Sequence, residues 1–450
     1  MLVMPVAAQN AYDVSVAELL KLGHELHATP SHKFDLAHMR ALLEAMGHPE
    51  RRFPSVLIAG TNGKGSTAAT LHSILSSAGF RAGLYTSPHL LRINERIKVA
   101  GEDISDAEFT EMHVRVEEAA RPLVALGELP WHPSFFETLT AMAFEYFASA
   151  GVEIAILEVG MGGRLDATNA VEPCLSVITD IALDHQAYLG NTLTEIAREK
   201  AGIIRPRGVV VTLAQHPEAN DVIGNAIAER GARAVNAAEY VPLETRNEKP
   251  ETSYQLEVLG KPITVSTPLL GVHQRRNVAL AIAAAVELNQ HGFTVTAAHI
   301  ENGIRNTHWP GRFQVIPARD SGPDFVLDVA HNPAGAWALR AALSQHFPQR
   351  PIFFIFGAMR DKAIGEMAEI LFPLAAKVIA THADSPRAAA PEQIQEAASR
   401  TGAEILCETS VKPALARAQQ LARGAQDAVV VITGSIYIVG EALRELGIAL

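Results

Sequence analysis

The stretch that most constrains this chain is Val56-Leu57-Ile58-Ala59-Gly60-Thr61-Asn62-Gly63-Lys64-Gly65-Ser66-Thr67. Its apolar start, Val56 to Ala59, suits a strand covered on both faces. Gly60, Gly63 and Gly65 allow a tight turn and a close approach of backbone to ligand. A helix opening at Ser66 then aims unpaired N–H groups at the turn, which makes an anion site. Lys64 adds a positive charge, and Ser66 or Thr67 a hydroxyl for a phosphate-bound Mg2+. The spacing departs from G-x-x-x-x-G-K-[ST], because position 58 is Ile and Gly65 separates Lys64 from Ser66. Phosphate binding still explains strand, glycines, lysine, hydroxyls and helix together.

Apolar runs alternate with helical periodicity on both sides of this stretch. Residues 1–12 read as a loose terminus. Ser15 to Leu26 and Phe34 to Met46 read as helices, separated by the turn Thr29-Pro30-Ser31-His32. Strands are expected from Arg81 to Tyr85, Glu153 to Leu157, Cys174 to Ile178 and Val209 to Leu213. Between them fall helices from Asp106 to Leu126, Phe135 to Ala150 and Thr194 to Lys200. Ile93 to Val99 is a strand or an ordered loop. Residues 235–270 read as short antiparallel strands on one edge, and Asn277 to Leu288 as an alanine-rich helix. The pattern breaks near Thr307-His308-Trp309-Pro310-Gly311-Arg312, and a second αβ alternation follows. The expected fold class is α/β: a large P-loop-type N-terminal domain, residues 1–307, with a mostly parallel sheet, and a smaller Rossmann-like C-terminal domain, residues 308–450.

Ligands bind open parallel sheets beyond the carboxyl ends of the strands. The unusual polar residues lie there: Lys64, Ser66, Ser87, Glu158, Asp166, His185 and Lys200 in the first half, Asp328, His331, Arg387 and Ser435 in the second. Each has a plainer alternative. Ser87 before Pro88 could be a turn residue, and Glu158 an acid turning out to solvent. His185 could be a satisfied hydrogen-bonding residue, and it is an unusual Mg2+ ligand. Arg164 and Asp166 could be loop charges, Lys200 a solvated helix-end lysine, and Asp328 and His331 a helix N-cap and its neighbour.

Composition excludes several classes. With 48% hydrophobic and 19% charged residues the chain is globular. A net charge of −11 gives no electrostatic reason for nucleic acid or an acidic membrane as partner. Cys174 and Cys407 fit two buried thiols in a reducing compartment. No signal-peptide pattern and no apolar run of membrane-spanning length is present, so a soluble cytoplasmic protein is expected.

Taken together the motifs resemble the folylpolyglutamate synthases and dihydrofolate synthases of the Mur ligase superfamily. The matching pieces are Gly60 to Ser66, Ser87-Pro88-His89-Leu90, Phe136-Glu137 and the run from Leu157 through Glu158 to Asn169. They continue with Ala182-Leu183-Asp184-His185, Glu199-Lys200-Ala201-Gly202-Ile203, Pro310-Gly311-Arg312, Asp328 to Pro333 and Gly434-Ser435. The resemblance implies that Thr61, Asn62, Gly63, Lys64, Gly65 and Ser66 hold ATP phosphates, with Asn277, Arg312 and Asp328 as further nucleotide contacts. It makes Ser87, Glu158 and His185 the Mg2+ ligands, and Lys200 a carbamylated lysine serving a second metal site. It places the pterin at Phe136, Glu137, Leu165, Asp166 and Ala167, and the incoming glutamate at His331 and Ser435. Ile436 stands where a bulkier residue is usual, and His273-Gln274-Arg275-Arg276-Asn277 is compactly spaced.

The implied reaction is ATP-dependent addition of L-glutamate to 7,8-dihydropteroate and to folates through an acyl phosphate, with Lys64, Lys200 and His331 as catalytic groups. The loop Leu165-Asp166-Ala167 resembles that of enzymes doing both additions. A monomer is expected. The rivals are a synthase that only extends the glutamate tail, another Mur-type amino-acid ligase, and a nucleotide switch. No Asn-Lys-x-Asp motif supports the switch.

Overall fold

The structure is a computed structural model that describes residues 6–23, 35–242, 253–318, 322–425 and 427–448. The strands of the first half are β1 Ser55–Ala59, β2 Ala82–Tyr85, β3 Ile97–Val99, β4 Glu102–Asp103, β5 Ile154–Glu158, β6 Leu175–Ile178, β7 Val209–Thr212 and β8 Arg233–Asn236. They form one sheet in the order β4-β3-β2-β5-β1-β6-β7-β8. Only β3 and β4 run antiparallel to their neighbours. Along β1, Leu57 and Ala59 enter the core on one face, Val56 and Ile58 the core on the other. Helices Asp106–Ala125 and Phe135–Ser149 cover the first face, and Lys64–Ser77, Val272–Leu288 and Ala297–Arg305 the second. That double cover is why β1 is buried throughout and apolar from Val56 to Ala59.

The remaining strands are β9 Ser253–Val258, β10 Lys261–Ser266, β11 Gln314–Ile316, β12 Asp324–Leu327, β13 Ile352–Phe356, β14 Ala375–Ala380, β15 Ile405–Cys407 and β16 Val429–Thr433. The last six make a second sheet, β11-β12-β16-β13-β14-β15, parallel except for β11. Here too alternate residues feed two cores, Phe354 and Phe356 on one face, Phe353 and Ile355 on the other. The molecule is thus an α/β fold with a large mostly parallel sheet and a smaller α/β half.

Several expectations change. The N-terminal segment is not loose from residue 6 on: a helix runs Val6–Lys21. Tyr12 fastens it, donating to Asn94 Oδ1 at 2.5 Å and packing edge-on against Phe109. The expected Thr29 to His32 turn and the part of the expected Ser15 to Leu26 helix beyond Gly23 fall outside the described residues. β9 and β10 do not extend an edge of the large sheet. They pair only with each other, because Val258, Ile263 and Val265 are buried in the same core as the helices at 272–288 and 297–305. Cys174 is partly buried and donates to the Ser55 carbonyl at 3.1 Å, but Cys407 is exposed, since it closes the edge strand β15. No helix among the described residues is long and apolar enough to cross a membrane.

Candidate active site

The carboxyl ends of both sheets open on a cleft of about 500 Å3. The residues that the resemblance assigns all line it: the loop from Thr61 to Ser66, Ser87, Phe136, Glu137, Glu158, Leu165, Asp166, Ala167, His185, Lys200, Asn277, Arg312, Asp328, His331 and Ser435. Thr67 and Arg164 do not: the Thr67 hydroxyl is buried against the Asn277 carbonyl, and Arg164 pairs with Glu199.

The loop after β1 is held from below. Thr61 N and Asn62 N both donate to the Asp180 carbonyl, at 2.8 and 3.1 Å, and Thr61 Oγ1 donates to Ala182 O at 3.0 Å. Gly63 has φ +88°, and a Cβ there would lie 2.1 Å from Asn277 Oδ1. Only glycine satisfies both conditions. The helix begins at Lys64, two residues earlier than expected, so Ser66 sits in its first turn. Lys64 Nζ donates to the Gly60 and Thr61 carbonyls, each at 3.2 Å. Lys200 Nζ reaches the same Gly60 carbonyl at 2.7 Å. Lys200 is not solvated; it is 4% exposed. Burial, and then the Lys64 charge, lower its pKa to about 7.

Ser87 follows β2 and Glu158 ends the adjacent β5, so the Ser87 N–H donates to Glu158 Oε2 at 3.3 Å. Glu158 is buried rather than turned to solvent. His185 follows β6 with φ +51°. Its Nδ1 is buried and finds no hydrogen-bond partner. Burial, then the Lys362 charge, push its pKa down to about 3, which keeps the ring neutral. A buried carboxylate, a neutral imidazole with an orphaned nitrogen and a hydroxyl fit a divalent cation. Among the described residues no group of three or more His, Cys, Asp or Glu could hold a metal alone, so the hydroxyl would complete the set.

The second half meets the first at Asp184. Its carboxylate accepts from Lys362 Nζ at 2.5 Å and Asn332 Nδ2 at 3.0 Å, and His331 Nε2 stands 3.4 Å away. Burial opposes this charge, but His331, His185 and Lys362 hold the carboxyl far below the ordinary range. Asn332 Nδ2 also donates to Asn62 Oδ1 at 3.0 Å, tying the phosphate loop to the other sheet. Asn332, not Asp328, caps the helix Pro333–His346, accepting from Gly335 N at 2.8 Å. Asp328 instead accepts from Phe313 N and Ala330 N at 2.8 and 2.9 Å, with the charge of the partly buried Arg312 nearby. Ser435 caps the last helix through Tyr437 N. Arg387 borders the cleft and pairs with Asp361 at 2.9 Å.

The far end of the cleft is apolar, with Leu36, Met39, Trp131, Phe136 and Leu165. Phe136 packs on Gly160, where a Cβ would come within 2.5 Å of the ring. Asp166 accepts from Met161 N at 2.9 Å, Thr168 N at 3.0 Å and Thr168 Oγ1 at 2.5 Å. Burial outweighs these bonds and pushes its carboxyl up to about 6. Glu137 is occupied: Oε2 closes a capping box with Ser134 and Oε1 faces His38 Nδ1 at 3.1 Å. Sequence reasoning missed His38, Trp131, Asn332 and Lys362 as cleft residues. Asn332 stands in the Asp328 to Pro333 run but carried no assigned role; His38, Trp131 and Lys362 belong to no local spacing pattern that marks chemistry, and only the packing of distant segments brings them in.

A family model for the Mur ligase middle domain matches residues 58–285, and one for the Mur ligase glutamate ligase domain matches residues 311–436. The dihydrofolate synthase/folylpolyglutamate synthase of Bacillus subtilis is 35% identical over 417 residues, 91% of this chain and 94% of that protein. A Haloferax volcanii protein named probable bifunctional folylpolyglutamate synthase/dihydropteroate synthase is 38% identical over 414 residues. That match takes 90% of this chain, which spans about half of the longer relative, 47%. The crystal structure of Mycobacterium tuberculosis folylpolyglutamate synthase complexed with ADP and AMPPCP is similar with a TM-score of 0.87 at 33% identity, covering 97% of this chain and 99% of that one. The chain belongs to the dihydrofolate synthase/folylpolyglutamate synthase family of Mur ligases, which are ATP-dependent ligases.

Proposed function

We propose that the protein joins L-glutamate to both 7,8-dihydropteroate and reduced folates, with residues 1–307 as the nucleotide- and pterin-binding domain and residues 308–450 as the glutamate-ligase domain. The observation that carries this reading is the single cleft. Phosphate loop, cation donors, an apolar slot ending in a carboxylate, and the second half's His331 and Ser435 all border it.

In this reading ATP lies with its phosphates on Thr61 to Ser66, beside Asn277, Arg312 and Asp328. A substrate carboxylate oxygen attacks the γ-phosphorus, the bond to the β–γ bridging oxygen breaks, and ADP leaves. Lys64 offsets the charge on the transferring group. The glutamate amine then attacks the acyl carbon, the C–O bond breaks, and phosphate leaves carrying the former carboxylate oxygen. The departing phosphate can take the amine's proton. His331, with Nδ1 2.9 Å from the Val329 carbonyl and Nε2 3.4 Å from the Asp184 carboxylate, is held at the edge of the cleft where the glutamate would lie. Closure of the two halves at Asp184 excludes water from the acyl phosphate. Mg2+ held by Ser87, Glu158 and His185, with a second ion at carbamylated Lys200, would supply charge neutralisation on the phosphates. A Lys200 amine with pKa about 7 has a substantial unprotonated fraction at neutral pH, and its carbamate would keep one N–H for the Gly60 carbonyl. The proposed setting is a cytoplasmic monomer.

The test is ADP release by purified protein with ATP, Mg2+ and glutamate, offering dihydropteroate and tetrahydrofolate in parallel. Turnover with both supports the two-substrate enzyme. Turnover with tetrahydrofolate alone makes it a tail-extending synthase, and turnover with neither rejects the folate reading.

A further inference from the structure

We propose that His38 is a positioning residue for the flat aromatic part of the acid substrate: clamped between Glu137 and the Trp131 carbonyl, it fixes Trp131 as a wall of the cleft. The proposal deepens the reading above and rests on it.

His38 lies on the helix Leu36–Ala45 and is 8% exposed. Both ring nitrogens meet acceptors. Nδ1 is 3.1 Å from Glu137 Oε1, and Nε2 is 3.0 Å from the Trp131 carbonyl oxygen. A neutral imidazole has one N–H, so either tautomer would turn a lone pair on an oxygen. Only the imidazolium donates to both. Burial works against that charge, yet the hydrogen bond and charge of Glu137, the Trp131 carbonyl and the charge of Asp35 outweigh it, and the His38 pKa is raised. Glu137 stays ionised although buried, with His38 and Ser134 holding its pKa down against that burial.

The clamp has a second element. The His38 and Trp131 rings stack, centroids 5.5 Å apart and planes 28° from parallel. Trp131 stands in the segment leading to the helix Phe135–Ser149 and is 42% exposed, a large apolar surface bordering the cleft beside Leu36, Met39 and Phe136. Such a surface suits a flat heteroaromatic ring. Glu137 Oε2 is engaged by Ser134 and Oε1 by His38, so the carboxylate holds His38 in place at the pocket.

The experiment is steady-state kinetics of wild type, His38→Gln, His38→Arg and Trp131→Leu, varying dihydropteroate and ATP separately. His38→Gln should raise KM for the acid about tenfold, with kcat and the ATP KM within about twofold. His38→Arg, a planar cation that stacks, should recover most of the loss. Trp131→Leu removes the wall but keeps the carbonyl, and should raise the same KM even if a His38 variant fails to fold. An unchanged acid KM in Trp131→Leu overturns the proposal, as does a parallel fall of kcat and rise of both KM values in His38→Gln. A wild type inactive with every pteroate and folate rejects the folate reading itself, and the proposal with it.

Discussion

Asp184 joins the two halves through a buried ion pair, and Asp184→Asn tests how much that junction contributes. The Asp184 and Lys362 side chains are 6% and 9% exposed, and their charged atoms are 2.5 Å apart. Asparagine keeps the shape but leaves the Lys362 ammonium buried without an opposite charge. Breaking such a pair from one side costs roughly 3–5 kcal/mol. Spread over a domain of this size, that is a fall in Tm on the order of 10 °C. Lys362→Met removes the cation, while Asp184 keeps Asn332 and the His185 N–H at 2.8 Å. The double variant should therefore be more stable than the sum of the singles by at least about 2 kcal/mol. Urea unfolding of the four proteins measures this. A loss under about 1 kcal/mol in Asp184→Asn, or strict additivity in the double variant, would refute the reasoning.

Further expectations rest on other residues. Lys64→Ala should abolish ligation while leaving the fold intact by circular dichroism; near-normal turnover would reject the phosphate-loop assignment. Gly63→Ala places a methyl 2.1 Å from Asn277 Oδ1 at a φ of +88°. Strain of this kind costs about 1–3 kcal/mol, so calorimetry should find a lower Tm and weaker ADP binding; unchanged values would contradict the geometry. Asp166 has its carboxyl pushed up to about 6 from 3.8, so the folded protein holds that proton more tightly than the unfolded chain. Its contribution to stability is largest below pH ~4, falls as pH rises to about 6 and is flat above. Asp166→Asn should remove that slope from urea titrations between those limits, and a slope that persists would assign it elsewhere.

The glycine turn after β1 and the alternation of apolar strands were legible because both are local: β1 is apolar from Val56 to Ala59, and the glycines that follow mark the turn. The site residues carried by strand ends were legible for the same reason. Lys200 looked like a helix-end lysine, because nothing local says that its tip enters beneath Gly60. Asp328 looked like a cap for want of knowing that Asn332 would take the role. Glu137 lines the cleft as expected, and Ser134-Phe135-Phe136-Glu137 also reads as a capping box that engages one of its oxygens. Lys362 and His38 meet their partners, Asp184 and Glu137, across 178 and 99 residues of chain. Pairings of that reach have no period to reveal them. The helix at Val6–Lys21 was hidden in the same way, since Tyr12 is fixed by Asn94 and Phe109.

The central claim, acyl transfer through a phosphorylated carboxylate in this cleft, is tested most directly by isotope transfer. Dihydropteroate labelled with heavy oxygen in its carboxylate is turned over with ATP and glutamate, and the released phosphate is examined by mass spectrometry. One labelled oxygen per phosphate is the predicted result. Unlabelled phosphate, with the oxygen lost from the carboxylate appearing in water, would contradict it.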